Sequence, residues 1–206
     1  THKADMATET AAAAPEEYLF HGYAQLQSAD YNLEALDNKF ADAARKCLVN
    51  YSFYFGATNN NADQLAALDK THVCGVKLFM GASTGNMLVD RMETLKRIFS
   101  EAGMLIATHC EDQNIIRQNT ELFKKKYGED PDISCHPLIR SEKPATVFFS
   151  GYQLAKETGA RLHVLHVSTA RELELFEDCP LGEKRITSEA CVSHLFFCDE
   201  DYKTLG

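Results

Sequence analysis

One lysine and a few histidines lie inside or at the ends of apolar runs, where polar side chains need a reason to be. Lys77 sits in Cys74-Gly-Val-Lys-Leu-Phe-Met80. Lysine is rarely buried without a partner, which leaves two readings. Either the stem follows the strand and the ammonium snorkels to solvent, or the amine is desolvated and nucleophilic toward CO₂ or a carbonyl. A carbamylated lysine would present a carboxylate able to bridge two metal ions. His109 closes Met104-Leu-Ile-Ala-Thr-His109 and leads into the acidic turn Cys110-Glu-Asp112. That position suits a metal ligand at a strand end, and it equally suits a satisfied core or turn histidine. His163 and His166 share Leu162-His-Val-Leu-His-Val-Ser168. Side chains alternate along a strand, so at most one of this pair can face a common site, and His166, nearer the C-terminal end, is the candidate. His2, His21, His72, His136 and His194 fall in helix, loop or turn contexts and read as structural or surface. Of these, His136 shares a loop with Arg140 that could reach a site.

Elements must position these residues. The Ala-rich run 3–14 predicts a helix. Leu33, Leu36, Phe40, Ala43 and Ala44 recur at helical spacing and predict a second helix over 32–47. The aromatic-rich run 48–55, followed by Gly56, predicts a strand. Strands at 75–80, 104–108, 161–167 and 185–189 then alternate with helices near 89–102, 113–127, 144–158 and 169–177. Segment 15–31 fits no pattern. The alternation predicts βαβ units and a parallel sheet. Gly81-Ala-Ser-Thr-Gly85 holds only two glycines and no phosphate-binding lysine after them, which disfavours an open nucleotide-binding sheet. The expected fold class is therefore α/β, a (β/α)₈ TIM-type barrel, whose chemistry lies at the C-terminal ends of strands.

Bulk properties narrow the function. The chain has 206 residues, 45% hydrophobic and 25% charged, ordinary for a globular domain. Its formal net charge is −9, and its longest basic run is Lys124-Lys125-Lys126. Such a surface repels phosphate backbones, so no nucleic-acid partner is expected. No run approaches the roughly 18 apolar residues of a membrane span. The polar N-terminus lacks the apolar core of a signal peptide, so a cytoplasmic location is expected. The seven cysteines are odd in number and contain no Cys-x-x-Cys pair. They read as buried free thiols in a reducing compartment, neither a disulfide framework nor a zinc finger.

Several motifs together resemble a known family. Gly75-Val-Lys-Leu-Phe-Met-Gly-Ala-Ser-Thr-Gly-Asn-Met-Leu88 is similar to the dihydroorotase segment that carries a carbamylated lysine. Ala107-Thr-His-Cys-Glu111 resembles the next metal-histidine strand. His136-Pro-Leu-Ile-Arg-Ser-Glu142 and Leu162-His-Val-Leu-His-Val-Ser-Thr169 resemble the stretch ending in the following metal histidine. Ile186-Thr-Ser-Glu-Ala-Cys-Val-Ser-His-Leu195 resembles the strand and turn after it, and Thr1–Glu9 the start of the first barrel helix.

The resemblance implies a barrel of the metal-dependent hydrolase kind, with five to six βα units in one incomplete domain over 1–206. It implies reversible hydrolysis of dihydroorotate to N-carbamoyl-L-aspartate, a step of pyrimidine biosynthesis. It implies two Zn²⁺ ions per complete site, with Lys77 as the carbamylated bridge and His109 and His166 on one metal. A small-molecule substrate and a homodimer follow by the same analogy. The family's His-x-His pair is expected before Thr1 and its aspartate base beyond Gly206. Its Met-Pro-Asn-Thr-like turn should follow Ala14, where 15–31 has no counterpart. These departures point to a piece of a longer polypeptide. Two alternatives remain: a hydantoinase or allantoinase with the same ligands, and a non-catalytic homologue acting as a scaffold.

Overall fold

Three helices in this chain start where a side chain, of Asp5, Asn32 or Asp112, satisfies their first N–H groups. In the computed structural model, which describes residues 5–14, 20–22, 32–81, 87–140 and 147–205, α1 covers Met6–Ala13 rather than starting at residue 3. Asp5 accepts from the Thr8 N–H at 2.9 Å while the Thr8 hydroxyl accepts from the Asp5 N–H at 3.1 Å, a reciprocal cap that fixes the first turn. The chain divides into two compact units, Thr1–Leu78 with Thr84–Ile106, and Phe79–Ser83 with Ala107–Gly206.

In the first unit, β1 (Phe20–Gly22) lies in the stretch that the sequence pattern left unassigned. Next, α2 (Leu33–Lys46) begins at Asn32, whose side chain accepts from the Ala35 N–H at 2.8 Å. It turns Leu36, Lys39 and Ala43 inward. From the same helix, Phe40 meets Phe53 edge-on at 5.0 Å. Phe53 belongs to β2 (Tyr51–Gly56), which pairs in parallel with β1. β3 (Gly75–Met80) pairs in parallel with β2, Gly56 standing opposite Lys77. All six residues of β3 are buried, as expected for a central strand covered on both faces. Phe53, Phe55, Val76 and Leu78 form the fully enclosed centre. α3 (Met92–Glu101) adds Leu95, Ile98 and Phe99. A β-carbon on Gly75 would lie 2.5 Å from the Leu105 carbonyl oxygen, the same oxygen that accepts from the Val76 N–H at 2.8 Å. Glycine is what permits that approach.

β4 (Ile106–Cys110) carries His109 near its end. In the second unit, α4 (Gln113–Tyr127) starts at Asp112, which accepts from the N–H groups of Asn114 and Ile115. The short α5 (His136–Ile139) and the longer α6 (Val147–Thr158) follow. β5 (Leu162–Val164), α7 (Ala170–Leu173), β6 (Ile186–Ser188) and α8 (Val192–Phe196) complete the unit. β5 and β6 are parallel, with His163 opposite Thr187. In the first unit β1, β2 and β3 lie side by side in chain order, and in the second β5 lies beside β6, the arrangement expected of successive βα units.

The structure departs from the sequence expectations in several places. The strand expected over 161–167 is regular only to Val164, and the helix expected over 169–177 is a single turn. The strand expected from 48 begins at Tyr51, since Leu48 is 68% exposed and turns away from the core. None of the seven cysteines is disulfide-bonded, and only Cys135 is buried, so apolar neighbours in sequence overstated thiol burial. Of 15–31, only Phe20–Gly22 is described; the first half of the 81–85 turn ends at Gly81, and the remainder lies outside the described residues. Among the described residues, no helix is long and apolar enough to cross a membrane.

Candidate metal centre

Lys77 is 3% exposed in the middle of β3, so its ammonium does not snorkel into bulk water. Its backbone is fixed on the β2 side, where its carbonyl accepts from the Ala57 N–H at 2.9 Å. It belongs to the first unit. His109 and His166 belong to the second, and there the fold brings them together.

The ring nitrogens His109 Nδ1 and His166 Nε2 are 3.0 Å apart, with the rings edge-to-face at 4.9 Å between centroids. Phe79 packs on the other side of His109 at 5.9 Å. Two imidazoles on one tetrahedral zinc at roughly 2.0–2.1 Å place their nitrogens about 3.3 Å apart. The observed separation comes within a few tenths of an ångström of this, so the pair fits a zinc ion. The nitrogens that face each other, Nδ1 of His109 and Nε2 of His166, are also at hydrogen-bond distance. Among the described residues, no three His, Cys, Asp or Glu side chains converge on a metal-sized point. The two imidazoles would supply part of a ligand set, not a complete one.

A charged network flanks His109. Glu111 Oε2 lies 3.4 Å from His109 Nε2, the nitrogen turned away from His166. Arg140 grips the same carboxylate, its Nη1 donating to Oε1 at 2.6 Å and Oε2 at 2.7 Å. Contact with His109 and then with the Arg140 guanidinium outweigh burial and hold the Glu111 carboxyl down at about 2. Gly81 permits this crossing. It has φ 110°, and a β-carbon there would fall 1.4 Å from the Glu111 carbonyl oxygen. The Glu111 N–H closes the crossing by donating to the Met80 carbonyl at 3.1 Å.

His166 adopts φ 42°, the one positive value among the described non-glycine residues. Such backbone costs energy and persists where the surroundings impose it, often at functional sites. His163 is engaged elsewhere: its Nδ1 lies 2.8 Å from the Thr187 hydroxyl and its Nε2 lies 3.2 Å from Glu189. The other histidines have local roles. His72 pairs with Asp69 in solvent, His136 stacks on Tyr202 at 5.4 Å, and His194 accepts from the Cys191 N–H. His2 and the His21 side chain lie outside the described residues. Sequence reasoning missed Glu111, Arg140 and Glu189 as supports. Only the acidic turn after His109 and the loop position of Arg140 hinted at them.

No protein-family model matches the sequence. An allantoinase of Deinococcus radiodurans is 30% identical over 185 residues, covering 82% of this chain and 39% of that protein. A dihydroorotase of the same species is 30% identical over 146 residues, covering 69% of this chain and 33% of that protein. The L-hydantoinase (dihydropyrimidinase) from Arthrobacter aurescens has the same fold, with TM-score 0.84 over 98% of this chain and 45% of that chain, at 22% identity. These similarities support the cyclic-amidase group of the amidohydrolases. The chain's parallel α/β sheet is thus part of a hydantoinase-type TIM barrel, the expected fold class. The chain spans about two fifths of the length of the allantoinase, 39%. Dihydroorotase and allantoinase relatives stand at the same 30% identity, so identity does not separate the two.

Proposed function

We propose that this chain carries part of the zinc centre of a dihydroorotase, which reversibly hydrolyses the cyclic amide of dihydroorotate to N-carbamoyl-L-aspartate in pyrimidine biosynthesis. The observation that carries the reading is the His109–His166 pair, with nitrogens 3.0 Å apart at zinc-like spacing. In this proposal His109 binds through Nδ1 and His166 through Nε2. Lys77, buried on β3, would be carbamylated and so would help to hold a second zinc ion. When bound, zinc supplies Lewis acidity toward an amide carbonyl and lowers the pKa of water. The protein's part is to hold the two imidazoles apart at a fixed distance and to keep the His109 ring turned by Glu111 and Arg140. It also keeps the Lys77 amine out of bulk water. A small-molecule substrate, a homodimer and a cytoplasmic location belong to the same proposal. The net charge of −9 supports the expectation of no nucleic-acid partner.

A second reading, allantoinase, is favoured by the 82% of this chain that aligns with the Deinococcus allantoinase. For dihydroorotase speak the Gly75–Leu88 and His136–Glu142 motifs. The test is turnover by the natural protein, loaded with zinc, on dihydroorotate, allantoin and hydantoin, with bound metal measured alongside. Preference for dihydroorotate supports the proposal, and preference for allantoin overturns it in favour of the second reading. Failure to bind zinc would favour a non-catalytic scaffold.

A further inference from the structure

His166 reaches His109 through an irregularity in the sheet. In a parallel ladder, bonds to the neighbouring strand recur every second residue. Here Leu162 donates to the Arg185 carbonyl at 2.9 Å, and the Val164 carbonyl accepts from the Glu189 N–H at 3.1 Å. The next bond should run from the His166 N–H to the Glu189 carbonyl. Val167 makes it instead, at 2.9 Å. One extra residue therefore stands between Val164 and Val167, which is a β-bulge, and the positive φ of His166 falls within it. On the other side, the Leu165 N–H is fixed to the Thr108 carbonyl at 3.1 Å. The His166 N–H, displaced from the ladder, faces Glu189 Oε1 at 3.4 Å. The other oxygen of that carboxylate, Oε2, lies 3.2 Å from His163 Nε2, while His163 Nδ1 lies 2.8 Å from the Thr187 hydroxyl. Glu189 thus engages the bulge three times, through its N–H, its carbonyl and its carboxylate.

We propose that Glu189, braced by His163, is the positioning residue that holds the His166 bulge and so presets the His109–His166 spacing for a divalent metal ion. The metal half of this inference rests on the function proposed above; the clamp half does not. It gives His163 a role other than ligand. A bulge turns a side chain to a place that a regular strand cannot reach, and here the carboxylate replaces the ladder bond that the bulge removes. A carboxylate is an acceptor only, so it suits both donors placed before it, the backbone N–H of His166 and the Nε2–H of His163.

The experiment uses the chain with Glu189→Ala, Glu189→Gln and, as an exposed control, Glu177→Ala. Two quantities are read: amide hydrogen exchange at His166 without metal, and affinity for Zn²⁺ by competition with a chromophoric chelator. Glu189→Ala should speed His166 exchange by roughly tenfold or more, the loss expected for a bond to a charged acceptor. The ladder amides of Leu162 and Leu165 should stay protected, which a general loss of stability would not allow. Zinc affinity should fall by about 10–100-fold, as for other partners that orient metal histidines. Glu189→Gln, which keeps an acceptor, should recover part of both losses, and it carries the test if the alanine variant does not fold. Wild-type exchange at His166 in both Glu189 variants overturns the clamp. Wild-type protein that binds no zinc, with His166 exchange still dependent on Glu189, overturns the metal reading and leaves the clamp standing. Altered exchange with unchanged zinc affinity overturns the claim that the clamp presets the metal pair.

Discussion

Gly81→Ala is the change that most severely tests how the β3 end meets the turn after β4. The added carbon would lie 1.4 Å from the Glu111 carbonyl oxygen and 2.5 Å from its carbon. Carbon contacts are comfortable at about 3.5–4.0 Å, so the neighbour must retreat by about 2 Å. That retreat takes with it the bond from the Glu111 N–H to the Met80 carbonyl, now 3.1 Å. A net backbone hydrogen bond contributes about 0.5–1.5 kcal/mol, and a non-glycine residue held at unfavourable positive φ costs about 1–3 kcal/mol. Together these give about 1.5–4.5 kcal/mol, a large share of the stability of an ordinary domain, about 5–15 kcal/mol. Gly128→Ala separates the two contributions. Gly128 has a similar φ of 99°, against 110° at Gly81, but nothing within 4 Å of the added carbon. Urea unfolding followed by circular dichroism should therefore rank wild type, Gly128→Ala and Gly81→Ala in falling order. The collision accounts for the gap between the two variants. Equal midpoints for the two variants would refute the close approach at Gly81.

Three further outcomes can be checked independently. Burial pushes the Cys74 thiol up, against smaller lowering contacts from Ser52 and Tyr54. Iodoacetamide near neutral pH should therefore label the exposed Cys198 before Cys74, as peptide mass spectrometry would read; the reverse order contradicts the partial burial of Cys74. Glu111 is held at about 2, below its ordinary 4.5. A depressed carboxylate stabilises the fold fully above its unfolded value and ceases to do so as pH falls through its folded value. Arg140→Gln removes one of the groups holding it down, so the acid-unfolding midpoint of the metal-free chain should move to higher pH; an unchanged midpoint counts against the Arg140–Glu111 pair. Phe55→Ala empties a fully buried position in β2 and should cost about 3–5 kcal/mol in the same urea assay, whereas a loss below about 1 kcal/mol would place Phe55 outside the core.

The sequence revealed those parts of the fold in which local pattern and tertiary burial agree. α2 announces itself through an apolar face and an Asn32 cap, and β3 through an unbroken buried run around one lysine. β1 left no trace, because Phe20–Gly22 is too short to show a period and is defined by its partner β2. The two readings of Lys77 could not be separated without knowing what covers β3; its 3% exposure decides for burial. Alternation assigned His163 and His166 to opposite faces on the premise of a regular strand. The bulge breaks that premise, and nothing in the type of residue 166 foretells it, since positive φ is usually the province of glycine. Glu111 and Arg140 stand 29 positions apart, and Glu189 lies 23 beyond His166. Such pairs exist only once the strands are assembled, so no local window contains them.

His109 and His166 together are proposed as one zinc site. Its most direct test is titration of Zn²⁺ into the wild-type chain, His109→Ala, His166→Ala and the exposed-histidine control His72→Ala. Either ligand variant should lose zinc affinity by about 100-fold or more, and the double variant should lose little beyond either single, because two ligands of one ion act as a unit. The control should bind as wild type does. Wild-type zinc affinity in either His109→Ala or His166→Ala would contradict the account.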